Sequence, residues 1–270
     1  MTIHVDDSRD PRLAPFTNLT DMQLRMKMEP AEGIFLAEGE KVILRALDAG
    51  FVPVSALMEA KWLPGLESAL AAHDCTVYLA DEAVLKSVTG YRLHRGALAA
   101  FIRKPLPTTA QVLDGARFVV VLEDLVDHTN VGLIFRTAAA LGADAVLVSP
   151  QCADPLYRRS VKVSMGAVLT TPWTRADPWP WTLEDLGEKG FERVALTPSE
   201  SAVDMRGWSP ADPSGRVALL LGSEGPGLSD EVFSRVDTDL RIPMTDRVDS
   251  LNVAAAAAIA CYVLAAGNAN

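Results

Sequence analysis

The apolar run "RVALLL" opens straight into "GSEGPGLSDE", which puts three glycines, a proline and the carboxylate of Glu224 into residues 222–227. Glycines let a backbone approach a ligand closely, and phosphate is the first ligand to consider. The loop has neither G-x-x-x-x-G-K-[ST] nor a G-x-G-x-x-G opening a helix, and Glu224 would repel an anion. Taken alone, it reads as a turn after a strand. Two other segments carry polar groups of the same kind. In "EDLVDHTNVGLIFRTAAALG", Asn130 stands at a strand-to-helix turn, and Arg136 lies two turns further on among almost wholly apolar neighbours. Asn130 would serve as an N-cap, whereas an arginine against so apolar a surface should have a partner. In "RIPMTDRVDSLNVAAAA", Ser250 or Asn252 can cap the last helix and Asp249 can favour its dipole.

The elements that must position these groups follow from the rest of the chain. Its 270 residues, 49% of them hydrophobic, are ample for a large core, and the length favours two domains. A net charge of −10 excludes indiscriminate binding of polyanions, so a nucleic acid would have to meet local basic clusters. The candidates are Arg92, His94 and Arg95, then Arg103 and Lys104, then "YRRSVK" at 157–162 with Arg158 and Arg159. Cys75, Cys152 and Cys261 are far apart, and His4, His73, His94 and His128 show no ligand spacing, so neither a disulfide framework nor a metal site is expected. The longest apolar stretch, "VAAAAAIACYVLAAG", is short for a membrane span, and the polar N-terminus is not a signal peptide. A cytoplasmic protein without membrane contact is the expectation.

Residues 1–30 read as a lead-in with one short helix in "LTDMQLRMKM". Strands and short helices alternate over 31–105, as in a small α/β/α sandwich. The proline-bearing stretch 106–116 reads as a linker. Over 117–270 the strands are continuous apolar runs between helices, which predicts a parallel sheet covered on both faces. Ligands in such sheets sit outside the carboxyl ends of the strands, where all three polar segments fall. "YRR", after the strand "AVLVSP", is expected on that side too.

The order and spacing of the three segments resemble the motifs of the SpoU (TrmH-like) branch of the SPOUT RNA methyltransferases. Asn130, Gly132, Arg136, Thr137 and Ala138 match the first motif, "LGSEGPGLS" the second, and "IPM" at 242–244 with "SLN" at 250–252 the third. Where the family commonly has glycine in the third motif, this chain has Asp246. The stretch "FLAEGEKVILRALDAG", with "TGYRLHRGALA", resembles the small substrate-binding domain fused to many such enzymes. The resemblance implies a C-terminal SPOUT domain with a deep trefoil knot, a homodimer, and S-adenosyl-L-methionine as cofactor. It implies cofactor contacts at Gly222, Ile242 and Leu251, and places Met244, Gly227 and Thr197 beside them. The glycines of 222–227 would let backbone approach that ligand. The reaction implied is methylation of a ribose 2′-hydroxyl of rRNA or tRNA, with Arg136 acting on the hydroxyl and Asn130, Glu224, Ser250 and Asn252 shaping the site. RNA contacts are expected at Arg92, Arg95, Arg158 and Arg159. The rival reading is a non-catalytic RNA-binding protein of the same fold acting in ribosome assembly.

Overall fold

Short strands, the central ones runs of apolar residues, build two sheets, which lie in separate units of the chain. The computed structural model describes residues 1–93, 96–210 and 215–267. One unit comprises Met1–Pro105 and Asp154–Thr170, the other Leu106–Ala153 and Thr171–Asn270.

The first unit contains β1 (Thr2–His4), β2 (Ile34–Glu38), β3 (Pro53–Met58), β4 (Thr76–Leu79) and β5 (Ala97–Ile102) in the order β1-β4-β3-β5-β2. β1, β4 and β3 run parallel, while β5 is antiparallel to β3 and β2. Its helices include α1 (Met22–Ala31), α2 (Glu40–Asp48), α3 (Glu67–Ala71) and α4 (Glu82–Thr89). The expected lead-in is part of this unit. β1 pairs with β4, and Leu13, Phe16 and Leu19 pack with Leu36, Leu57 and Leu98 in one core. Within α1, Arg25 and Glu29 form a fully buried ion pair at 3.0 Å.

The second unit runs through α5 (Thr109–Val112), β6 (Phe118–Leu122), α6 (His128–Ala140) and β7 (Ala145–Val148). The chain then forms α7 (Arg158–Val163), which belongs to the first unit, before β8 (Trp173–Arg175), α8 (Thr182–Glu188), β9 (Glu192–Leu196) and β10 (Val203–Asp204). β11 (Val217–Leu221), α9 (Asp230–Phe233), β12 (Thr238–Arg241) and α10 (Val253–Gly267) complete it. Its seven strands lie in the order β10-β12-β9-β11-β6-β7-β8, and every pairing is parallel. β6, β7 and β11 are buried along their whole length, as a sheet covered on both faces requires. The expected linker 106–116 is not one. Thr108 and Gln111 close a capping box over α5, and Val112, Leu113 and Ala116 join the core around Val119, Leu183 and Phe191.

The segment 154–170 departs most from expectation. It follows β7 in sequence, yet its charges are spent inside the first unit. Arg103 Nη1 lies 2.6 Å from Asp154 Oδ2. Arg158 Nη1 donates to Glu38 Oε2 at 2.8 Å and to Tyr91 Oη at 2.6 Å, and Nη2 donates to the carbonyl of Leu19. Lys162 Nζ reaches Glu38 Oε1 at 2.5 Å. Glu38 is buried at the end of β2, against which α7 packs. Burial pushes its carboxyl up, but Lys162, Arg158 and the Tyr91 hydroxyl outweigh burial and hold it below the usual range. A carboxylate with a depressed pKa contributes stability above its unfolded value of about 4.3 and loses it as pH falls through the folded value. We expect Glu38→Gln to cost about 2–3 kcal/mol at pH 7, the low end for breaking a buried pair because Lys162 stays half exposed. The stability gap to the unsubstituted protein should narrow below pH 4. Urea titrations at pH 7 and pH 3.5 measure both, and a gap that does not change with pH would contradict the assignment.

Candidate active site

Parallel strands all point the same way, so the residues that follow β9, β11 and β12 emerge on one edge. These three strands are neighbours, with β9 in the middle. Leu196, Thr197 and Pro198 from β9, Leu221 to Gly225 and Gly227 from β11, and Ile242 and Met244 after β12 surround a pocket of about 290 Å³. Ser250 to Val253 and Ala256, at the start of α10, complete its wall. The walls are largely apolar, the polar side chains among them are those of Thr197, Ser223, Glu224, Ser250 and Asn252, and no Lys or Arg lines it among the described residues.

The glycine loop is closed on itself. Ser223 and Gly227 exchange backbone hydrogen bonds of 3.1 and 3.0 Å. Gly225 and Gly227 have φ of 92° and 77°, the left-handed region that favours glycine. Gly222 is also needed by the loop itself. A Cβ there would lie 2.2 Å from the carbonyl carbon of Gly227 and from the amide nitrogen of Leu228. Its close approach is to its own loop, whereas Gly225 and Gly227 have open space where a side chain would be.

Three polar side chains from distant segments meet beside the pocket. Asn252 Oδ1 accepts from the N–H groups of Ala254 and Ala255, at 3.0 and 3.3 Å, and so caps α10. Its amide nitrogen must then point away from the helix. It donates to Asn130 Oδ1 at 3.1 Å and to Glu224 Oε1 at 2.8 Å. With its oxygen engaged, Asn130 turns its own Nδ2 to Glu224 Oε1 at 2.7 Å. Two amides thus converge on one carboxylate oxygen. Asn130 is buried in the first turn of α6 and is not its cap, because Asp127 fills that position. At Asn252 the capping reading and the site reading hold together. Ser250 and Asp249 are exposed, and Ser250 lines the pocket.

Of the residues singled out in the sequence, Thr197, Gly222, Glu224, Gly227, Ile242, Met244, Ser250, Leu251 and Asn252 all line this pocket, and Asn130 joins it through hydrogen bonds. Arg136 does not line it. It is exposed on α6 with no hydrogen bond or ion pair to any described residue, so the expected partner is not found among the described residues. Arg158 is committed to Glu38, Arg92 pairs with Glu82 at 2.6 Å, and Arg159 is exposed. His94 and Arg95 lie outside the described residues. The sequence reading missed Leu196, Pro198 and Ala256, since apolar residues at strand ends and helix starts look like core. Among the described residues no group of His, Cys, Asp or Glu is placed to hold a metal, and no helix is long and apolar enough to cross a membrane.

A parallel α/β sheet with its pocket at the carboxyl edge is a ligand-binding architecture, and comparison with known proteins gives it a family. The SpoU rRNA Methylase family matches residues 117–262. A tRNA/rRNA methyltransferase of Mycobacterium bovis, described as uncharacterized, is 44% identical over 258 residues, covering 96% of this chain and 90% of the relative. The crystal structure of an AdoMet-bound rRNA methyltransferase from Sinorhizobium meliloti superposes with a TM-score of 0.79 at 26% identity, covering 97% of both chains. That of an RNA 2′-O ribose methyltransferase gives 0.76 at 27% identity over 99% of both. The chain belongs to the SpoU rRNA methylase family. It is a methyltransferase of the SpoU/TrmH kind, on an α/β fold with a large all-parallel sheet.

The contrast between the glycines is testable. Gly222→Ala drives a methyl group into the loop backbone and should cost about 2 kcal/mol or more, as overpacking does. Gly225→Ala meets open space and should cost only about 1 kcal/mol of backbone strain, despite its positive φ. Thermal unfolding of the two variants measures this, and equal losses or the reverse order would contradict the geometry.

Proposed function

We propose that this protein transfers a methyl group from S-adenosyl-L-methionine to a ribose 2′-hydroxyl of rRNA or tRNA. The observation that carries the reading is the pocket at the ends of β9, β11 and β12, fixed by the Asn130–Glu224–Asn252 network and, among the described residues, lined by no cationic side chain. Such a lining suits a neutral purine and a sulfonium better than a polyphosphate, and the Glu224 carboxylate favours a positive charge nearby. Ile242 and Leu251 would wall the adenine. Gly222, Gly227, Thr197 and Met244 would complete the cofactor site with backbone and side-chain contacts. When bound, the cofactor supplies a methyl group activated on sulfur. The S. meliloti relative, which binds AdoMet, and the 2′-O ribose methyltransferase neighbour support this choice.

The rest of the chemistry falls to the protein. A ribose hydroxyl is a weak nucleophile that gains from orientation and from stabilisation of its developing negative charge. Arg136 is suited to this because no described residue occupies its guanidinium, and a planar fork orients an oxygen better than an ammonium does. A guanidinium carries donors and no acceptor, which favours electrostatic stabilisation over proton abstraction. Asn130, Glu224, Ser250 and Asn252 would hold the surrounding loops in register. RNA contacts are assigned to Arg92, Arg95 and Arg159. Arg158 is left out because its guanidinium is spent on Glu38 and Tyr91. With such a substrate, the protein would act in the cytoplasm.

We also infer a homodimer. α10 packs on α6 and leaves Ile259 and Tyr262 exposed, the latter by 68%, and Leu133 of α6 is exposed as well. Leu133 and Arg136 are three residues apart and therefore neighbours on the helix surface. A second copy covering these apolar residues would lie beside the guanidinium. The deep trefoil knot is inferred in the same way from the family, supported by a sheet in which β6 sits between β11 and β7 while the last helix returns to α6.

Two measurements test this reading. Arg136→Ala should keep its circular dichroism and its affinity for S-adenosyl-L-methionine, yet lose at least ~100-fold in single-turnover methylation, the scale of one lost transition-state donor. Arg136→Lys should not restore it. Near-normal turnover by the folded alanine variant would contradict the role, and a protein that binds RNA without transferring methyl would favour the assembly-factor reading. Light scattering should give twice the 29.0 kDa chain mass, and the chain mass itself would exclude the dimer.

A further inference from the structure

β6, five buried apolar residues, ends in a carboxylate, and an interior carboxylate is costly unless its oxygens are satisfied. Glu123 follows Leu122 and is only 5% exposed. Its N–H donates to the carbonyl of Leu221 at 2.9 Å, which carries the β6–β11 pairing one residue further, to the start of the glycine loop. Its side chain is met by hydrogen-bond donors. Oε2 accepts from the N–H of Ser229 at 2.8 Å, and Oε1 accepts from the Ser229 hydroxyl at 2.8 Å and from Trp179 Nε1 at 3.2 Å.

Ser229 is where the glycine loop ends. Its hydroxyl oxygen accepts from the N–H of Val232 and caps α9, so the hydroxyl proton is free to point only at Glu123. The turn after β6 is shaped to allow this. Asp124 has φ of 52°, unusual for a residue with a side chain, and is tied to Ser149 by two hydrogen bonds of 2.9 and 2.6 Å. The β6–α6 segment therefore grips the loop twice. Asn130 holds Glu224 near its start and Glu123 holds Ser229 at its end, and the pocket-lining residues Gly225 and Gly227 lie between the two grips. Neither Glu123 nor Ser229 lines the pocket.

We propose that Glu123 is a positioning residue for the cofactor loop. Acting through Ser229 and touching neither cofactor nor RNA, it holds Gly222–Gly227 in the shape that binds S-adenosyl-L-methionine. This rests on the reading of the pocket given above. A charged acceptor gives the two Ser229 donors shorter and stronger bonds than a neutral one. Glu123→Gln presents an amide with a single acceptor oxygen in the same volume, so it cannot satisfy both donors.

The test has two independent readouts. The first is hydrogen exchange of the ligand-free protein. Glu123→Gln should speed exchange in the peptide spanning 222–229 at least ~5-fold and leave β7 and the end of α6 unchanged. The second is calorimetric titration with S-adenosylhomocysteine. Glu123→Gln and Ser229→Ala should each raise Kd about 10-fold, with KM for the cofactor rising in step and kcat changing much less. The losses in the double variant should be less than additive, because both substitutions cut the bond from the Ser229 hydroxyl to Glu123. Ser229→Thr, which keeps the hydroxyl, should bind as the unsubstituted protein does. A lowered melting temperature with unchanged loop exchange and unchanged Kd would make Glu123 merely structural and overturn the proposal. If Glu123→Gln does not fold, Ser229→Ala and Ser229→Thr decide it, and equal Kd values for those two would also overturn it. Failure of the unsubstituted protein to bind S-adenosylhomocysteine would count against the pocket's assignment, while the exchange experiment would still decide the role of Glu123.

Discussion

The candidate site depends on the direction in which one amide points. α10 begins with unsatisfied N–H groups, and Asn252 satisfies two of them with its oxygen. That choice sends its nitrogen to Asn130 and Glu224, which in turn sets the amide of Asn130. A local rule of helix ends is thus converted into a link between positions 130, 224 and 252, which no local rule would bring together. The carboxylate of Glu224 is compensated by amide donors and not by a cation. The pocket consequently presents a carboxylate with no Lys or Arg lining beside it among the described residues.

The all-parallel sheet makes this possible. Adjacent strands with a common direction deliver three loops to one edge, and the buried lengths of β6, β7 and β11 hold those loops on a rigid base. The glycine loop has two residues at positive φ and open space beside them. The hydrogen bonds from Asn130 and Glu123 are spent on it.

Much of this was legible in the sequence, and the exceptions share a physical cause. The pocket lining could be read because spacing within each motif is local and the carboxyl-edge rule supplies the rest. The fate of "YRRSVK" could not be read, because the partner of Arg158 and Lys162 is Glu38, more than a hundred residues earlier in the chain. A buried carboxylate claims basic residues that otherwise look available to RNA. Residues 1–30 looked loose because Leu13, Phe16 and Leu19 are spaced along a 3-10 turn and a loop without helical or strand period, yet they enter the core. The supposed linker did carry a signal, the Thr108–Gln111 capping box, which the nearby prolines obscured. That the missing side chain of Gly222 would strike Gly227 could not be read either, since only the folded loop shows it.

The proposed reaction marks RNA on the sugar and not on the base. The most direct measurement is to incubate the purified protein with methyl-labelled S-adenosyl-L-methionine and total rRNA and tRNA, hydrolyse the RNA with alkali, and separate the products. A 2′-O-methyl group blocks attack on the neighbouring phosphate, so the account predicts label in alkali-resistant dinucleotides. Label confined to mononucleotides would place the methyl on a base, and no label in RNA would leave the protein a binder, and either result would contradict the central claim.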